Sequence, residues 1–401
     1  PDGSRPLDRQ VLRCLQDVVD AHPNGHLLVF LPGIADINAT ANRCEGFCRA
    51  QGLEIHRLHG DLSPETQERA LAPSSTRKVI LSTNIAETSV TIDGVTVVID
   101  SGLAKIARTD SGTGTLDVRT QEISQASATQ RMGRAGRTQP GTCIRLYSED
   151  AFHRRPAREL PEILRSDLTR LSLDLAAARL SPSTLSWLDD PPVEALQHAA
   201  VLLHQLGAVD ADGVTDTGIA MHKIPAHPRF GKVLVEARAR GVERLAAHTI
   251  ATLQEGVRLR PKARGGRVDA LEVFEMCRAL DDRRTLGRLR EVARQLCSHR
   301  NDDTKRGDAA ELALAESMFL AFRDRIGAVV EHDAHARRVQ FAEGGHAALP
   351  RESVAWEAAF CVAVSIDRRH HGARQTPTVQ SAVTVEPDWV FEYMLDHLRE
   401  E

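Results

Sequence analysis

Gln130, Arg134 and Arg137, within the run Gln-Arg-Met-Gly-Arg-Ala-Gly-Arg at 130–137, are the residues of this chain best spaced to do chemistry. Two guanidinium groups stand three residues apart, each after a glycine, with an amide one turn upstream. On a continuous helix, offsets of four and three put all three side chains on one face, where they converge on a single anion. Gly133 and Gly136 strip bulk from beside the arginines and let another surface approach the backbone. The guanidinium is a planar, permanently charged fork suited to phosphate oxygens. Delivered across a cleft, one such arginine accelerates phosphoryl transfer by roughly 10³–10⁵. A solvated basic helix is the bland alternative; the spacing, the glycines and the residues upstream argue against it.

Arginines of this kind need a scaffold. The apolar run at 27–31, closed by Pro32-Gly33, reads as a buried strand. A helix follows over 34–50, then a strand over 54–58 ending at His59-Gly60. Asp61 or Ser63 can cap the next helix, which opens on Pro64 and runs to Leu71. Further strands are expected at 78–81, 95–99 and 142–147. This β-α rhythm predicts an α/β layer with a largely parallel sheet. Such sheets bind ligands at their carboxyl edge, which here would hold Pro32-Gly33 and Ser82-Thr83-Asn84. The stretch from Ala104 to Ser124, with an Asp-Ser-Gly-Thr-Gly turn at 110–114, reads as a β-hairpin.

Beyond residue 155 the pattern changes. Pro161 opens an expected helix to Ala178, striped by Leu164, Leu168, Leu171 and Leu175. A second helix over 193–206 ends at Gly207, and 208–217 holds a turn between short extended pieces. Two helices and a small wing suggest a winged-helix domain. Residues 228–325 read as helical throughout, interrupted by a basic loop at 258–267. Short alternating runs over 326–386 read as a small β-barrel, with Phe341, Trp356 and Phe360 as packing residues, and 389–398 as a closing helix. The expected domains are thus 1–155, 156–224, 225–325 and 326–401.

The 401 residues are 42% hydrophobic and 26% charged, with a net charge of −4. That balance fits several globular domains and excludes a wholly basic surface, though not a local nucleic-acid groove. No apolar run approaches the roughly 18 residues of a membrane span. Seven scattered cysteines without CxxC pairs suggest free thiols, as in a cytoplasmic protein.

The residues from Thr83 to Gly94, followed by the octamer at 130–137, resemble motifs V and VI of the DEAH-box RNA helicases. Phe30-Leu31-Pro32-Gly33 and Leu58-His59-Gly60 resemble the preceding motifs, in order. The runs 161–168, Asp190-Pro191-Pro192 and 224–229 are similar to the accessory region of that family, in wording nearest the bacterial HrpB-type branch, with HrpA-type second. The resemblance implies a second RecA-like domain, then winged-helix, ratchet-like helical and oligonucleotide-binding (OB) barrel modules. By the same resemblance Arg134 and Arg137 are arginine fingers for the γ-phosphate of ATP, and Gln130 positions the attacking water. Asp93 would touch the ribose, with Thr91 beside it. Leu71 stands where many relatives stack an aromatic residue on the base. The amide of Gly33, with Thr83, Asn84 and Lys105, would hold the backbone of single-stranded RNA, and the hairpin would wedge between strands. Arg131 is expected in a structural ion pair and His59 as a structural hydrogen-bonder.

Neither a G-x-x-x-x-G-K-[ST] loop nor an Asp-Glu-Ala-His tetrad occurs in these residues. Those elements cradle phosphates and bind Mg²⁺. The resemblance therefore implies the C-terminal half of an ATP-dependent, 3′–5′ RNA helicase. That half is expected to be monomeric and inactive without a first RecA-like domain supplied in cis. The alternatives are a non-enzymatic RNA- or protein-binding scaffold, distinguished by the upstream reading frame, and a DNA helicase fragment, distinguished by sensing of the 2′-hydroxyl.

Overall fold

The computed structural model describes residues 6–60, 62–88, 92–109, 116–137, 140–257, 265–297, 303–333, 336–367 and 377–394. The chain divides into two compact units, one running to Arg108 and resuming from Asp117 to Pro161, the other containing Glu162 onward.

The first unit opens with helix α1 (Leu7–Val19), strand β1 (His26–Phe30), helix α2 (Ile34–Ala50) and strand β2 (Glu54–Leu58). Helix α3 (Pro64–Leu71), strand β3 (Lys78–Ser82), the short helix α4 (Ile85–Thr88) and strand β4 (Val95–Asp100) follow. A hairpin of β5 (Leu103–Thr109) and β6 (Leu116–Glu122) precedes helix α5 (Gln125–Met132), strand β7 (Thr142–Arg145) and helix α6 (Glu149–His153). The main sheet has the order β2-β3-β1-β4-β7, and every pairing in it is parallel. Strands β1, β3 and β4 are buried on both faces, which is why they read as unbroken apolar runs. Alternate residues serve opposite faces. Leu27, Val29, Val79, Leu81 and Val97 pack under α1 and α2, whereas Leu28, Phe30, Ile80 and Val98 pack with Ala70, Ala86 and Ala135. The expected α/β layer is present. Sequence reading passed over α1, whose buried Val11, Leu15 and Val18 follow helical spacing.

Three expectations need correction. The octamer 130–137 is not one continuous helix: α5 ends at Met132 with Gly133 as its cap. The N–H groups of Arg134 and Ala135 instead bond three residues back, to Arg131 O and Met132 O (both 3.1 Å). Two glycines in four residues remove helix propensity, and the chain tightens into turns. The helix expected from Pro161 to Ala178 is a single 3₁₀ turn at Glu162–Leu164, then a fresh start. There the Asp167 carboxylate accepts the Thr169 N–H (2.8 Å). The closing helix begins at Pro387 and ends at Tyr393, with 395–401 outside the described residues.

The second unit holds α7 (Thr169–Ala177), α8 (Val193–Gln205), a ribbon of β8 (Val209–Asp210) and β9 (Gly213–Val214), and α9 (Asp216–His222). Gly207, at φ 66°, ends α8 in the left-handed region, as its sequence position suggested. Helices α10 (Pro228–Ala239), α11 (Glu243–Gln254), α12 (Asp269–Ala279), α13 (Arg283–Leu296) and α14 (Asp308–Phe322) come next. A closed barrel follows, of β10 (Ile326–Asp333), β11 (Ala336–Phe341), β12 (His346–Leu349), β13 (Phe360–Asp367) and β14 (Thr378–Val385), then α15 (Pro387–Tyr393). Helices and barrel share one core, in which Phe319 and Phe322 join Val362, Val364, Val383 and Trp389. Asp269, buried at the start of α12, stitches them together. Its carboxylate accepts bonds from the Ser353 hydroxyl (2.8 Å), Val354 N–H (2.7 Å) and Ala382 N–H (2.8 Å). Val268 pairs with Val383, and the Thr384 N–H donates to Arg267 O (2.9 Å). Phe341, Trp356 and Phe360 are half-buried against these cores. Most of the basic loop, 258–264, lies outside the described residues. No described helix is long and apolar enough to cross a membrane, and all seven cysteines are free.

Candidate nucleotide and nucleic-acid site

The octamer is held in place by its second residue. Arg131 is completely buried, its Nε 2.9 Å from Glu87 Oε2 and its Nη1 2.9 Å from Asp100 Oδ1. Nη1 also donates to Leu103 O (3.2 Å), and the guanidinium lies 4.8 Å from the Phe30 ring centre. The ion pair expected of this residue is therefore present. The Ser127 hydroxyl donates to Glu87 Oε1 (2.7 Å) and the Tyr147 hydroxyl to Asp100 Oδ2 (3.0 Å). Burial, then the Asp100 charge, push the Tyr147 phenol well above its usual pKa. Sequence reading missed Glu87, Asp100 and Tyr147. The available signal was an acid closing the apolar strand Val-Thr-Val-Val-Ile-Asp, since a buried carboxylate needs a partner.

At the carboxyl edge of the sheet, Gly33 follows β1, Thr83 and Asn84 follow β3, and Lys105 lies in the hairpin root after β4. Strands β1 and β3 are neighbours, so the two loops adjoin: Leu31 N–H donates to Ser82 O (2.8 Å). Gly33 caps the 17-residue helix α2 in an extended conformation that any residue adopts. The absent side chain leaves room for the end of Lys105. A methyl there would stand 2.6 Å from Lys105 Cε and Nζ. Thr83 is half-buried, and Asn84 and Lys105 are exposed. Arg155 braces the hairpin root, donating from Nη1 to Gly102 O (2.7 Å) and Ile123 O (2.9 Å) while stacked 4.0 Å from the Tyr147 ring.

Asp93 and Leu71 lie instead towards the opposite, amino edge. Asp93 is exposed in the turn just before β4, where Val95 pairs with His26 at the start of β1. Leu71 ends α3, half-buried in the same cluster as Ala135. Ala135 itself lies against the start of β7: a Cβ on Gly141 would stand 2.0 Å from Ala135 O and 2.7 Å from Thr96 O. Arg134 is buried and donates from Nη2 to Glu87 O, while Gln130 and Arg137 are exposed. Burial, then the nearby Arg137 charge, lower the Arg134 pKa, with Glu87 opposing. Thr91 lies outside the described residues. The carboxyl edge thus holds Gly33, Thr83, Asn84 and Lys105, and the amino edge Asp93 and Leu71. No group of metal-binding side chains occurs among the described residues.

A five-stranded, all-parallel sheet flanked by helices and braced by a buried arginine is the architecture of a RecA-like domain. The family profile "Helicase conserved C-terminal domain" matches residues 10–139. The chain is 40% identical to the ATP-dependent RNA helicase HrpB of Escherichia coli over 239 residues, 59% of this chain and 29% of that protein. It is 36% identical to the E. coli ATP-dependent RNA helicase HrpA over 249 residues, 60% and 19% respectively. Over 241 residues it is 39% identical to the human probable ATP-dependent RNA helicase DHX34 (58% and 21%). The crystal structure of the E. coli DExH-box NTPase HrpB superposes with a TM-score of 0.76 at 29% identity, covering 98% of this chain and 46% of that one. The chain therefore carries a helicase C-terminal domain at residues 10–139 and, over 59–60% of its length, is a homologue of the HrpB- and HrpA-type ATP-dependent RNA helicases. It spans less than half the length of these relatives.

Proposed function

We infer that this chain forms one wall of the nucleotide site of an ATP-dependent RNA helicase and part of its RNA track. The observation that carries this is the crowding of two arginines on a turn where Arg134 is buried and its charge disfavoured. Such a pair is eased by an incoming anion. Arg134 and Arg137 then act as fingers on the γ-phosphate, and Gln130 orients the attacking water. Asp93 accepts ribose hydroxyls, Thr91 sits beside it and Leu71 contacts the base. The phosphate-cradling loop and the Mg²⁺ ligands come from a first RecA-like domain whose motifs this sequence does not contain. RNA is gripped at the other edge. The Gly33 amide stands at the positive end of α2, and Thr83, Asn84 and Lys105 touch neighbouring phosphates. Closure on ATP and reopening after hydrolysis step the protein 3′ to 5′. The α7–α9 region serves as a winged-helix hub, α10–α14 as a ratchet-like bundle and the barrel as an OB-like module, in a cytoplasmic monomer.

RNA-stimulated ATP hydrolysis by the whole protein, compared with Arg134→Ala, tests this. The variant should lose at least about 10²-fold in kcat, as finger deletions do, with its melting temperature preserved. An unchanged kcat would refute the reading. The 401-residue chain alone should show no RNA-stimulated hydrolysis.

A further inference from the structure

Lys78, the first residue of β3, is only 3% exposed. Its Nζ donates to three carbonyl oxygens at the end of α3, those of Arg69 (3.0 Å), Ala70 (3.5 Å) and Ala72 (2.6 Å). An ammonium has three donors, and all three are used. Water can satisfy the last carbonyls of a surface helix, so burying a charge to do so exceeds what capping requires. The residue enclosed by these bonds is Leu71.

The same lysine reaches the second wall through its backbone. Its N–H donates to Nδ1 of His26 (3.2 Å), which fixes that imidazole with the proton on Nε2. The ring faces Gly94, where a methyl would stand 3.5 Å from His26 Cδ2, and the His26 N–H donates to Gly94 O (2.7 Å). Gly94 adopts φ 76° and directly follows Asp93. One continuous set of bonds thus runs from the end of α3, through Lys78 and His26, to the Asp93–Gly94 turn.

We propose that Lys78 is a positioning residue for nucleotide recognition: its amine fixes Leu71 against the base, at a set distance from the turn that holds the ribose. The proposal rests on reading Leu71 as the base contact. Lys78→Met keeps the buried stem and the backbone bond to His26 and removes only the amine.

Steady-state hydrolysis by the whole protein should be measured with ATP and with ribose 5′-triphosphate, which lacks a base. In Lys78→Met the KM for ATP should rise about tenfold with kcat nearly unchanged, the signature of lost uniform binding to one apolar contact. The KM for ribose triphosphate should not move, and Leu71→Ala/Lys78→Met should match Leu71→Ala alone. An unchanged KM for ATP, an equal rise for both substrates, or a fall confined to kcat overturns the proposal. If Lys78→Met does not fold, Lys78→Gln replaces it. Its shorter side chain ends in an amide with two N–H donors and cannot supply three bonds to these carbonyls, so the same base-selective rise is expected and its absence overturns the proposal. Arg134→Ala separates the two readings. If it lowers kcat while Lys78→Met leaves KM unchanged, only the positioning role fails; if Arg134→Ala has no effect, the nucleotide site itself fails.

Discussion

Arg131 and Arg134 both use Glu87, but different parts of it: Arg131 pairs with the carboxylate at 2.9 Å, and Arg134 donates to the carbonyl oxygen. Glu87 thereby holds both arginines in place. Arg131→Met would leave Glu87 and Asp100 without their cation in a buried setting. Losing one partner of such a pair costs about 3–5 kcal/mol. Chemical denaturation should show that loss for the transition of the first unit; a variant as stable as the parent would contradict this account of the ion pair.

The Gly33–Lys105 packing makes a second prediction. Lys105→Ala should reduce the slope of log K against log[salt] for single-stranded RNA by about 0.7, the contribution of one phosphate contact. Gly33→Ala keeps the charge and should change the slope less, because the exposed lysine end can move aside from the methyl. An unchanged slope in Lys105→Ala would remove Lys105 from the proposed RNA track.

His26 gives a pH dependence of known sign. Burial, then the charges of Lys78, Arg77 and His56, hold its folded-state pKa below the ordinary histidine value. Below about 6.5 the unfolded chain binds a proton that the folded chain refuses. The stability contribution is therefore complete above that pH and is lost as pH falls towards the folded value. His248, also depressed by burial, adds a parallel loss. His26→Asn keeps an acceptor for the Lys78 N–H but cannot titrate. Between pH 7.5 and 5.5 the parent should lose more stability than this variant, and parallel curves would rule His26 out.

On the proposed reading of Leu71 as the base contact, its side chain offers an apolar surface and no hydrogen bonds. Values of kcat/KM for ATP, GTP and CTP should lie within about tenfold of one another, the discrimination a single apolar contact supports. A strong preference for ATP would show that the base is read elsewhere.

Much of this was legible in the sequence because buried parallel strands announce themselves: Leu27–Leu31 and Val95–Ile99 are continuous apolar runs ended by turn residues. The hairpin, the ribbon after Gly207 and the barrel were legible for the same kind of local reason. Long-range chemistry was not. Nothing near Asp100 in the chain says that Arg131 and Tyr147 will meet there, and nothing beside Lys78 points to the end of α3. The octamer misled because offsets of three and four suggest a helix, whereas Gly133 ends it. The separation of Asp93 and Leu71 from Thr83 depends on strand direction, which a motif does not contain.

The Asp269 carboxylate has a practical bearing on dissecting this protein. A fragment starting at residue 326 would keep all five barrel strands yet lose the acceptor for Ser353, Val354 and Ala382 and the backbone partner of Thr384. It would also bare Val362, Val383 and Trp389, which now share one core with Phe319. Limited proteolysis should accordingly release the barrel only together with α12 and α14, and expression boundaries belong before residue 267.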